Sequence, residues 1–139
     1  MNRILLIVIV LCGITISSFT SANKMSEANH EQTATMMRDT PQQFSDAMNG
    51  GNFILLDVRT ANEVAKGRIA GSIHIDWFAD DFAAQVAKLD KSKIMLVYCA
   101  SGGRSEEAGE LLINQGFKYV HNLEGGTDAW KEAGYPLVK

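Results

Sequence analysis

Ile94-Met95-Leu96-Val97-Tyr98-Cys99-Ala100-Ser101-Gly102-Gly103-Arg104-Ser105 reads as an unbroken apolar strand, a short glycine-bearing turn and the start of a helix. The helical pattern that begins near Ser105 places Ala108, Leu111 and Leu112 on one face. A strand apolar at every position is buried on both sides, the mark of a parallel sheet covered by helices. A tight turn from such a strand into a helix points successive backbone N–H groups inward and sets the positive end of the helix dipole beneath the loop. Here the loop holds a cysteine. Such surroundings lower a thiol pKa from about 8.5 into the range of roughly 3.5 to 7.5, and the thiolate is the nucleophilic form. Cys99 is therefore the candidate nucleophile.

The flanking sequence repeats the strand-helix alternation. Thr40 is placed to cap a helix with Pro41 at its first position and Phe44, Ala47 and Met48 inward, closed by Gly50-Gly51. Phe53 to Leu56 is a strand-length apolar run, followed by Asp57-Val58-Arg59 and a short helix around Ala61 to Lys66. A small strand is predicted over Ser72 to Ile75 and a helix from Asp76 to Leu89, with Phe78, Phe82, Val86 and Leu89 at helical spacing. After the cysteine loop come a helix over Ser105 to Gln115, a strand over Tyr119 to Leu123 and a last helix over Thr127 to Ala133, ended by Gly134. This order predicts an α/β fold, a small parallel sheet with helices on both faces. Asp57 and Cys99 both fall at carboxyl ends of strands, where such sheets place their sites.

The chain opens with Arg3, an apolar stretch from Ile4 to Ile16 and Thr20-Ser21-Ala22, the pattern of an export signal cleaved after Ala22. That stretch is shorter than the about 20 residues needed to span a bilayer, so no stable membrane insertion is expected after cleavage. Residues 1–22 are thus read as a signal peptide, 23–39 as a polar spacer and 40–139 as one domain, and the mature protein is expected to be exported to the periplasm. Loss of Arg3 moves the formal net charge from −3 to −4, which gives no surface for nucleic acid. Loss of Cys12 leaves Cys99 as the single cysteine, without an intramolecular disulfide partner. His30, His74 and His121, like Met25, Met36 and Met37, show no recurrent ligand spacing, so neither a metal nor another cofactor is expected.

Four stretches in order resemble the single-domain rhodaneses, a sulfurtransferase family. They are Leu55-Leu56-Asp57-Val58-Arg59, Gly67-Arg68-Ile69-Ala70-Gly71-Ser72, Tyr98 through Ser105, and Leu123 through Trp130 with Gly134 and Pro136. Arg68 departs from the family pattern, since many relatives have His there. The export signal makes the chain similar to the periplasmic phage-shock-type members. The resemblance implies a rhodanese-like fold and a ping-pong reaction in which the Cys99 thiolate takes the sulfane sulfur of thiosulfate or a similar small donor. The persulfide then passes it to cyanide, a thiol or a protein acceptor. It also implies that the loop residues Ala100, Ser101, Gly102, Gly103 and Arg104 surround the sulfur, with Arg104 a fixed cation for an anionic donor; the other reading of Arg104 is pairing with an acid near the helix start. Ser101 either donates its hydroxyl to the sulfur or supports the turn, the two glycines allow close backbone approach, and Ser105 caps the next helix. By the same resemblance Asp57 and Arg59 sit near the loop, and a supporting role, by hydrogen bonding and by ion pairing with Glu63 or loop amides, is expected in preference to substrate contact.

Two other readings compete. Cysteine phosphatases also place a cysteine and an arginine around an anion loop, but with five residues between them; here four intervene, Ala100 to Gly103. A sulfur carrier or partner-binding module on the same fold would keep the first half-reaction without turnover. Retention of both Cys99 and Arg104 argues against an inert module.

Overall fold

The computed structural model describes residues 33–139, and within them five strands form one all-parallel sheet. In chain order the elements are β1 (Thr35–Asp39), α1 (Pro41–Met48), β2 (Phe53–Asp57), α2 (Ala61–Val64), β3 (Ile73–His74), α3 (Phe82–Val86), β4 (Ile94–Tyr98), α4 (Gly103–Asn114), β5 (Tyr119–Leu123) and α5 (Gly126–Glu132). The strand order is β1-β5-β4-β2-β3. The chain moves outward from β2 to β3, returns across β2 to β4, then continues the other way to β5. The direction of winding therefore reverses between β2 and β4, and a crevice opens at such a reversal beyond the carboxyl ends of the strands. Asp57 pairs in register with Tyr98 at that point, and Cys99 follows directly.

Alternation along the strands supplies a core on each face. Met95 and Val97 of β4 join Leu56, Val120, Phe82, Val86, Ala108 and Leu112 beneath α3 and α4. Leu96 and Tyr98 join Leu55, Leu123, Phe44 and Trp130 beneath α1 and α5. Phe44 and Trp130 meet edge to face at 6.3 Å, and each such ring contributes about 2–3 kcal/mol by leaving water. The helix α1 begins as its sequence predicts: Thr40 and Gln43 form a reciprocal capping box, with Pro41 in the first turn.

The largest differences from the sequence reading lie at two boundaries, while β3, α2 and the start of α4 each shift by one or two residues. Residues 35–39, expected to be spacer, form the edge strand β1, which pairs along its length with β5. The ordered fold therefore starts before Thr40. Met36 packs against the core and Asp39 is buried beside His121, while Thr35, Met37 and Arg38 face solvent, so the strand lacks an apolar run. The helix expected over Asp76 to Leu89 is only the five residues of α3. The Asp76 carboxylate accepts from the Phe78 N–H at 2.9 Å and the Trp77 N–H donates to the Val58 carbonyl, which fold the preceding residues into turns. The export signal, Cys12, His30 and the start of the spacer lie outside the described residues.

Candidate active site

The carboxyl end of β4 delivers Cys99 to the floor of the crevice, where it is fully buried. The chain then turns through Ala100 and Ser101 to Gly102, whose φ of +98° makes it the left-handed cap of α4. That turn brings the Gly102 N–H to 3.0 Å from the Cys99 Sγ. A Cβ on Gly102 would lie 3.1 Å from the Gly125 nitrogen, so both its backbone angle and its surroundings select glycine. Gly103 differs from the expectation set for it: its φ is ordinary and a Cβ there would meet open space.

The loop is held from outside by the start of α5. The Thr127 N–H donates to the Cys99 carbonyl at 2.9 Å and the Asp128 N–H to the Ala100 carbonyl at 3.0 Å. With these carbonyls drawn outward, the N–H groups that follow face the sulfur. Gly126 makes the approach possible, because a Cβ on it would stand 2.4 Å from the Cys99 carbonyl oxygen.

Ser105 is not the helix cap. It lies in the first turn of α4, fully buried, with its hydroxyl 3.5 Å from Sγ, 3.1 Å from the Gly102 carbonyl and 2.6 Å from Asn122 Oδ1. Asn122, on β5, also donates through Nδ2 to the Gly102 carbonyl at 3.2 Å. Burial pushes the Cys99 thiol up, but hydrogen bonds from the Ser105 hydroxyl and from the Ser105, Ser101 and Gly102 N–H groups outweigh it, leaving the thiol below its ordinary pKa. One hydroxyl proton cannot serve three acceptors at once, and the short Asn122 contact is its best partner while Cys99 is a thiol; ionisation of the sulfur would draw it across. Ser101 contributes through its backbone while its side chain is exposed.

Arg104 lies at the mouth and is already paired. Its Nη1 and Nη2 donate to Glu63 Oε2 and Oε1 at 2.8 and 2.7 Å, a bidentate clasp between α4 and α2. Its guanidinium also sits 5.7 Å from the centroid of the Phe78 ring, which is 66 % exposed. Glu63 is pulled down to about 2 by the Arg104 hydrogen bonds, against its partial burial and with help from the Thr60 N–H and hydroxyl. The Glu63 hydrogen bonds raise Arg104, and the nearby Cys99 charge adds to this.

Asp57 and Arg59 form a separate buried unit. Arg59 Nε donates to both Asp57 carboxylate oxygens at 2.9 and 3.1 Å, and Nη2 to Asp57 Oδ2 at 2.6 Å and the Gly67 carbonyl at 2.8 Å. The Tyr98 hydroxyl donates to Asp57 Oδ2 at 2.8 Å and accepts from the Ile69 N–H, while burial lifts its own pKa to about 12. The expected pairing of this unit with Glu63 is replaced: Arg59 takes Asp57, and Glu63 takes Arg104. Arg59 reaches Glu63 only at its backbone carbonyl, at 3.5 Å. Asp57 and Arg59 therefore fix the β2–α2 turn that carries Glu63. His74 and His121 are bound apart from each other, to the Arg59 carbonyl and to Asp39. Arg68, the departure from the family pattern, bridges Val138 through its backbone.

A cavity of about 250 Å³ flanks the loop at Ala100, with Arg59, Glu63, Lys66, Asp128 and Lys131 in its walls. Of these cations Arg59 is bound to Asp57 and Lys131 to Asp128, which leaves Lys66 as the wall cation with no ion pair among the described residues.

The family model of the rhodanese-like domain matches residues 40–133. The chain is 33 % identical over 103 residues to the thiosulfate sulfurtransferase GlpE of Stutzerimonas stutzeri, covering 73 % of this chain and 91 % of that protein. It is 34 % identical over 85 residues to a sulfurtransferase of Allochromatium vinosum, covering 61 % and 78 %. Among solved structures, a rhodanese-related protein from Thermoplasma volcanium superposes with a TM-score of 0.65 at 32 % identity, covering 73 % of this chain and 97 % of that one. The strand order, the cysteine loop and these matches agree: the chain belongs to the rhodanese-like family, among relatives that are sulfurtransferases.

Proposed function

We propose that the protein is a sulfurtransferase that takes sulfane sulfur from thiosulfate or a similar donor onto Cys99 and passes it to cyanide or a thiol. The Cys99 thiolate attacks the outer sulfur, a new S–S bond forms, the S–S bond of thiosulfate breaks, and sulfite leaves with the electron pair. The acceptor nucleophile then attacks the terminal sulfur of the Cys99 persulfide and returns the thiolate. No proton transfer is required in the first step, so the loop needs no general base; it needs donors that hold an anionic sulfur in both states.

The observation that carries this reading is the Gly102 N–H at 3.0 Å from Sγ, in a loop whose other N–H groups lower the same thiol. The four-residue interval from Cys99 to Arg104 favours it over the phosphatase chemistry, which uses five. Cleavage of residues 1–22, action in the periplasm and likeness to the phage-shock-type members belong to the same proposal. The test is thiosulfate-dependent thiocyanate formation from cyanide. Parallel double-reciprocal plots, with activity lost in Cys99→Ala, are expected. A folded, reduced protein that forms no thiocyanate with cyanide and passes no sulfur to a thiol would overturn the turnover reading and leave the carrier.

A further inference from the structure

The cation expected to attract an anionic donor is not free. Both guanidinium Nη groups of Arg104 are engaged by both oxygens of Glu63, and this geometry recognises any planar carboxylate or oxyanion. At Arg104 an arriving anion meets an ion pair without net charge in place of an unpaired cation. The pair is held in place on three sides. Thr60 donates to Glu63 Oε2 through its N–H and hydroxyl at 2.9 and 2.8 Å, the buried Asp57–Arg59 unit fixes the turn behind it, and the Phe78 ring lies against the guanidinium. The clasp is only partly exposed, with side chains 22 % and 29 % open, so solvent screens it less than a free surface pair.

We propose that Glu63 sets the charge selectivity of the Cys99 site by occupying Arg104. A dianion such as thiosulfate must displace the carboxylate or bind without the arginine. Donors of lower charge, such as an organic persulfide or a thiosulfonate, lose less. The donor class named here rests on the sulfurtransferase reading, whereas the occupation of Arg104 by Glu63 does not.

Glu63→Gln tests this without dismantling the turn. Gln43 fills the same position in the capping box of α1, so glutamine can keep the bonds to Thr60 while removing the charge. The first measurement is alkylation of Cys99 by iodoacetate and by iodoacetamide, reagents of nearly equal size that both attack the thiolate and differ by one negative charge. Their rate ratio cancels any change in the thiol pKa or in burial. The ratio is expected to rise about threefold or more in Glu63→Gln, the scale of one partly screened charge. With thiosulfate as donor, KM is expected to fall by about fivefold or more while kcat changes by less than about twofold.

An unchanged or lower alkylation ratio in the folded variant would overturn the proposal and make Glu63 only a positioning residue for Arg104. A wild-type protein that accepts sulfur from no donor would instead remove the sulfurtransferase reading, with the alkylation ratio still deciding the clasp.

Discussion

Gly126→Ala should separate the two ways a glycine can matter beside this loop. At φ +57° an alanine is in the left-handed region, which costs about 1–2 kcal/mol. Its Cβ would stand 2.4 Å from the Cys99 carbonyl oxygen and 2.5 Å from the carbonyl carbon and oxygen of Ala100. All three are backbone atoms of the loop, so no side chain can swing aside. Overpacking of this kind costs about 1–3 kcal/mol, giving about 2–5 kcal/mol in all. A domain of this size has about 5–15 kcal/mol to lose, so the variant should remain folded but weakened. The easiest relief is withdrawal of the loop from α5, breaking the bonds from Thr127 and Asp128 and turning N–H groups away from Sγ. Urea unfolding followed by circular dichroism should report the stability loss, and iodoacetamide alkylation against pH should show the midpoint of Cys99 moving up. Gly103→Ala is the reference, since a Cβ there meets nothing within 4 Å and its φ is ordinary. It should be neutral or stabilise by up to about 1 kcal/mol, as alanine replaces glycine in a helix. A Gly126→Ala protein within about 0.5 kcal/mol of wild type, with an unmoved alkylation midpoint, would refute the claim that α5 holds the loop.

Three further variants test the buried groups. Asp57→Asn leaves Arg59, 4 % exposed, without its counter-charge and should cost about 3–5 kcal/mol in urea unfolding, whereas Arg59→Met with Asp57→Leu should recover part of that loss. Ser105→Ala removes a hydroxyl that favours the thiolate. Because the wild-type thiol is lowered, its alkylation rate should level off at a pH below that of an ordinary cysteine; without Ser105 the profile should shift to higher pH.

The parts of the fold that were legible in the sequence are those where burial writes a pattern. Strands β4 and β5 and helix α1 carry their own signals, in the apolar run Ile94 to Tyr98 and in the Thr40-Pro41 cap. The edge strand β1 does not, because three of its five side chains face solvent and its partner lies some eighty residues away. The false extension of α3 has the opposite cause. Phe78 falls at helical spacing, yet it is exposed at the site mouth against Arg104 rather than packed in the core.

At the site, Cys99 and its loop could be read because strand, turn and helix are contiguous. The partners that tune them could not. Glu63 is 41 residues from Arg104, and Asn122 is 17 from Ser105; only the sheet order brings each pair together. Glu63 did leave one local sign, the Thr60-Ala61-Asn62-Glu63 capping pattern, but that pattern predicts a helix start and says nothing about a second partner. Ser105 was misread for a related reason. It was expected to cap the next helix, whereas the left-handed Gly102 begins that helix and leaves Ser105 in its first turn.

Intact mass decides whether Cys99 carries sulfur as a persulfide. The reduced protein and its Cys99→Ala variant would each be treated with thiosulfate, freed of small molecules and weighed before any acceptor is added. The wild type should gain one sulfur atom, about 32 Da, that is absent from the variant and is removed by cyanide. A folded, reduced wild type that gains nothing from thiosulfate or polysulfide, or a variant that gains the same mass, would contradict a persulfide on Cys99.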